Sequence, residues 1–123
     1  GAVVKALGYD LSGLMTQDNA LRSALTTAGE QSGDEVWSLP LDARLKKQTE
    51  SAIADLCNTP TNNAAISASA AWLLHHFCPA DIPWAHLDVS GTALWREGGK
   101  SVASGRPIPL LMQHLLNDLD IRE

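Results

Sequence analysis

Pro83-Trp84-Ala85-His86-Leu87-Asp88-Val89-Ser90-Gly91-Thr92-Ala93 is the run against which the rest of this chain can be placed. Trp84 to Val89 reads as a buried strand. Trp84, His86 and Asp88 fall on one face, and Ala85, Leu87 and Val89 on the other. The small residues Ser90-Gly91-Thr92 end it. In α/β folds ligands collect where strands end and small residues let a molecule approach the backbone. The end of this strand is therefore the first place to look for a site.

Outward from that strand, Ala65–Phe77 predicts a buried helix, with Ile66, Ala70, Leu73, Leu74 and Phe77 on one stripe and small alanines on another. Cys78-Pro79 stops it. Trp95–Gly105 reads as a polar, Gly-rich loop. Pro107–Leu119 predicts an amphipathic helix with Ile108, Leu111, Met112, Leu115 and Leu119 aligned. Nearer the start, Leu11–Thr16 is a short apolar run broken by Gly13, read as a second short strand. Gln17-Asp18-Asn19 offers N-caps for a helix with Leu21, Ala24, Leu25 and Ala28 inward and Gly33 as its stop. Glu30, Asp34 and Glu35 put the wrong sign at that helix's C-terminal end. Trp37–Pro40 predicts an extended link, and Leu41–Gln48 a short helix with Leu41 and Leu45 inward and Arg44, Lys46, Lys47 and Gln48 solvated. Ser51–Leu56 is ambiguous, and 58–63 is a loop by composition. Ala2-Val3-Val4 and Ala6-Leu7-Gly8 read as a strand buried on both faces. Such a strand needs neighbours on each side, and the sequence offers few; it reads either as the first strand of a small α/β domain or, the preferred expectation, as part of a piece of a larger protein.

The whole is one α/β domain of 123 residues, 45% apolar and 19% charged, with an ordinary globular composition. A net charge of −5, with nine scattered Lys and Arg, argues against a nucleic-acid partner. Cys57 and Cys78 do not make a disulfide framework and read as reduced thiols in a cytoplasmic protein. The apolar run 64–77 is too short to cross a bilayer, and His75-His76 interrupt its end.

The chemistry-bearing motifs are sparse. Gly99-Lys100-Ser101 has the tail of a phosphate-binding loop, but Leu94 stands where the first Gly is required. His75 and His76, adjacent on a helix, diverge by about 100° and cannot face one metal ion. His86 and Asp88 share a strand face. They fit a metal pair, an acid–base dyad or a buried hydrogen-bonded pair beside Trp84. The last reading is preferred, because no third partner lies at ligand spacing. Ser90-Gly91 and Ser104-Gly105 lack the pattern of a nucleophile elbow. No set of catalytic groups is recognisable, so either the chain is a non-catalytic interaction module or its chemistry lies on residues outside it.

Taken in order, several stretches resemble the leucyl (cytosol) aminopeptidases. They are Gly1-Ala2, Ser12-Gly13-Leu14-Met15, Glu30–Asp34, Trp37-Ser38-Leu39-Pro40-Leu41, Ser51 with Ala54–Thr59, Trp84–Ala93, and Ser104-Gly105-Arg106-Pro107. The resemblance runs from Gly1 to about Leu116. It implies the C-terminal part of an α/β catalytic domain with a mixed sheet. Its parent would use two divalent metal ions, zinc or manganese, and a bridging water to release N-terminal residues from peptides. The family's metal ligands and catalytic Lys and Arg precede the turn that Gly1 matches. The implied chain therefore holds no metal by itself and is inactive alone, and its partners are a peptide substrate, the upstream part of the same protein and further copies in a cytoplasmic hexamer. By the same resemblance, Gly1, Ser90 and Ala93 line the pocket for the substrate's first side chain, and the small Ala93 leaves room for Leu or Met. Pro60–Asn63 stands where the family is often Gly-rich, so that loop departs from the pattern.

Overall fold

In the computed structural model, residues 2–59 and 66–119 are described. Strand β1, Ser12–Met15, is buried along its whole length. It pairs in parallel with β2, Val36–Ser38, in the register Ser12 with Val36 and Leu14 with Ser38. It pairs antiparallel with β3, His86–Asp88, Gly13 opposite Asp88 and Met15 opposite His86. The order β2–β1–β3 makes a mixed sheet, the predicted fold class. Successive side chains of β1 point to opposite faces. Leu14 therefore enters one core with Leu25, Val36 and Leu110, against which Leu21, Ala85 and Leu87 pack. Met15 enters the other, with Ala68, Ala71, Leu39, Leu41 and Leu45. The expected alternation of the third strand is visible here: Ala85 and Leu87 turn to the Leu14 core.

The strand buried on both faces is thus β1, and not Ala2–Leu7. That first segment is a single helical turn, α1, Val4–Leu7. Its bonds close locally, from Leu7 N–H to the Val3 carbonyl at 2.9 Å and from Gly8 N–H to the Val4 carbonyl at 2.9 Å. Val3, 2% exposed, lies against the middle of β1. A Cβ placed on Gly13 would sit 2.8 Å from Val3 Cγ2, so the glycine read as an interruption of the strand is the seat of the N-terminal segment.

Helix α2, Asn19–Ser32, begins and ends as the sequence predicts. Asp18 caps it by accepting from Leu21 N–H at 2.7 Å, and Gly33 leaves it with φ 70°. The acidic residue just beyond has a different role from the one its charge implied. Asp34, buried, is ion-paired with Arg106. The Arg106 guanidinium also donates to the carbonyls of Asp10 at 2.8 Å and Glu35 at 3.1 Å, and Asp34 accepts from Leu110 N–H at 3.4 Å. One buried pair therefore ties the end of α2, the approach to β1 and the start of helix α5, Ile108–Asp118.

Leu41–Gln48 is a 3₁₀ helix over Ala43–Thr49, capped by Asp42 rather than started by Pro40. The Arg44 guanidinium hydrogen-bonds the Asp42 carboxyl and lowers its pKa to about 2. Ala65–Phe77 is not one helix. Helix α3, Ile66–Ala71, and helix α4, Leu74–Phe77, are separated by a tight turn at Trp72-Leu73. The buried Trp72 indole donates to the Asp42 carbonyl at 2.9 Å, and the bonds around it span three residues instead of four. Phe77 consequently leaves the predicted stripe and is 74% exposed.

Two further expectations change. Trp95–Gly105 contains a hairpin: β4, Leu94–Glu97, pairs with β5, Lys100–Ala103, across Gly98-Gly99, both at positive φ. A two-residue glycine turn with positive φ at both positions matches the strands' own twist. In α5 the buried residue is Leu110, while Ile108, Leu111, Met112 and Leu115, with Leu119 just beyond the helix, are exposed. Part of the 58–63 loop lies outside the described residues.

Candidate functional site

The chain leaves β3 in a tight turn. Thr92 N–H and Ala93 N–H both return to the Val89 carbonyl, at 3.0 and 2.8 Å. Three contacts fix this turn. Thr92 and Ser12, both buried, share a hydroxyl–hydroxyl bond of 2.6 Å, which joins the turn to the start of β1. Gly91 lies so close to the end of α1 that a Cβ there would come within 2.5 Å of the Gly8 carbonyl oxygen and 3.4 Å of Val4 Cγ2. The Ala93 carbonyl accepts from Ser104 N–H at 2.9 Å, closing the base of the hairpin.

Of the three residues expected to line a pocket, Ser90 and Ala93 stand on this turn. Ser90 is exposed and Ala93 half-buried. Gly1 lies outside the described residues; the segment that follows it, through Val4 and Gly8, packs against the same turn. The Ser90 hydroxyl and backbone N–H both donate to Asp88 Oδ1, at 2.6 and 3.1 Å.

His86 and Asp88 do share a face of β3, both half-buried. Burial lowers the His86 pKa below its usual value, with the Asp88 carboxylate opposing that shift. Among the described residues no group of three or more His, Cys, Asp or Glu is placed to hold a metal ion. The described side chains therefore do not form a donor set for the divalent ions that the resemblance implies, and the Asp88 carboxylate is bonded within the turn, to Ser90. His75 and His76 are exposed, and His75 meets the Trp72 ring edge-on at 5.5 Å. Gly99-Lys100-Ser101 is the hairpin's turn and second strand, not a strand-to-helix phosphate loop. Cys57 and Cys78 are free thiols. No helix among the described residues is long and apolar enough to cross a membrane.

Among the described residues, open cavities lie elsewhere. One of about 300 Å³ adjoins Gln17, Asp18, Asp81 and Trp84; one of about 400 Å³ adjoins Lys46, Lys47, Asp55 and His76. Neither contains Ser90 or Ala93.

A mixed α/β sheet with small-residue turns at its strand ends, carrying these motifs in this order, defines an aminopeptidase-type catalytic domain. Residues 1–112 match the cytosol aminopeptidase family, catalytic domain, and the chain belongs to that family. The chain is 49% identical over 117 residues to the probable cytosol aminopeptidase of Bordetella avium, and 45% to that of Psychromonas ingrahamii; each match covers 95% of this chain. Among solved structures, a tomato leucine aminopeptidase mutant superposes with a TM-score of 0.82 at 31% identity, covering 95% of this chain and 23% of its own. The bottromycin maturation enzyme BotP gives 0.88 at 30%, covering 98% and 27%. BotP in complex with Mn gives 0.83 at 31%, covering 94% and 26%. The chain spans 23% of the length of the curated relatives it matches.

Proposed function

We propose that this chain is the C-terminal part of the catalytic domain of a metal-dependent aminopeptidase that releases N-terminal residues from peptides. The observation that carries the reading is the family match across 1–112, with relatives named as aminopeptidases at up to 49% identity. On this reading the metal ligands and catalytic groups belong to the upstream part of the parent. The bound manganese of one relative supports divalent ions as its cofactors. The parent assembles as a hexamer in the cytoplasm. Gly1, Ser90 and Ala93 contribute one wall of the pocket for the first side chain.

A physical feature supports a larger body around this chain. Trp37, Phe77, Leu94, Trp95, Met112 and Leu115, on β2, α4, the hairpin and α5, are all exposed. The upstream part of the catalytic domain is the natural cover. The test is hydrolysis of leucine p-nitroanilide with Mn²⁺, by the full-length protein and by residues 1–123 alone. Activity is expected from the first only. Turnover by the isolated chain, free of full-length enzyme, would show that the reacting groups have been misplaced.

A further inference from the structure

We draw no further inference here: the strongest candidate, the cavity of about 400 Å³ between the Ala43–Thr49 helix, the link after it and helix α4, is walled by exposed side chains of both charges, Lys46 and Lys47 against Glu50 and Asp55, and nothing among the described residues shows what would occupy it.

Discussion

Strand β1 and helix α5 are both rich in apolar residues, and the fold treats them in opposite ways. Leu14 and Met15 of β1 are fully buried, one on each face of the sheet. In α5 only Leu110 is buried, while Ile108, Leu111, Met112 and Leu115 of its periodic stripe are exposed, Leu115 at 54%. The contrast teaches what an apolar pattern can and cannot say. Spacing identifies a face that wants cover; which face is covered depends on the neighbours available. Here Leu110 is selected because α2 and the Asp34–Arg106 pair seize the start of α5 and set its rotation.

The largest expected effect tests that clamp. Asp34→Ala strands the Arg106 guanidinium, largely buried, and removes the acceptor of Leu110 N–H. Breaking one partner of a buried pair costs about 3–5 kcal/mol. Urea unfolding of the variant should show that loss. A change below about 1 kcal/mol, on the scale of an exposed pair, would mean that the clamp does not set the helix.

The contrast between the two elements sharpens in a pair of truncations. Leu14→Ala should cost about 2–5 kcal/mol, as for other buried leucines. Leu115→Ala should cost less than about 0.5 kcal/mol in the chain studied alone, as surface changes do. If the upstream part covers the stripe, the same Leu115→Ala in the full-length protein is expected to approach the cost of a core truncation. Equal, small losses in both settings would leave the stripe uncovered and weaken the case for that packing.

A smaller effect is expected at the turn. Thr92→Val keeps the shape but deprives the buried Ser12 hydroxyl of its partner. Leaving a buried polar group unpaired costs about 1–3 kcal/mol. Ser12→Ala combined with Thr92→Val removes both groups and should recover part of the loss, which thermal unfolding would register.

How much of this was legible follows from range. The faces of β3 and both ends of α2 are local patterns of alternation, capping and a terminal glycine, and they read correctly. Ala2–Leu7 did not, because Val3-Val4 carries strand character while the turn is fixed by Gly8 and by Val3 meeting Gly13 across the fold. The hairpin was hidden by composition: Gly98-Gly99 reads as loop until the pairing of Leu94–Glu97 with Lys100–Ala103 is seen. At the site, Asp88 and Ser90 are two residues apart, and an Asp-x-Ser spacing signals a local side-chain bond. The Ser12–Thr92 bond joins residues 80 apart, and the Arg106–Asp34 pair residues 72 apart; no local pattern encodes either.

The last expectation concerns His86, whose half-buried ring sits opposite Met15 at the sheet's edge. Burial holds its folded-state pKa below the usual 6.5, and the Asp88 carboxylate only partly offsets that. Above 6.5 the ring is neutral in both folded and unfolded chains and contributes no pH dependence. As pH falls below 6.5, the unfolded chain takes up the proton first, so stability declines until the folded ring also titrates. The slope is therefore positive with pH in that window. His86→Gln should flatten it. A stability profile between pH 7 and 5 that is identical in the two proteins would place His86 in water. The Met15 core would then reach the sheet's edge without it.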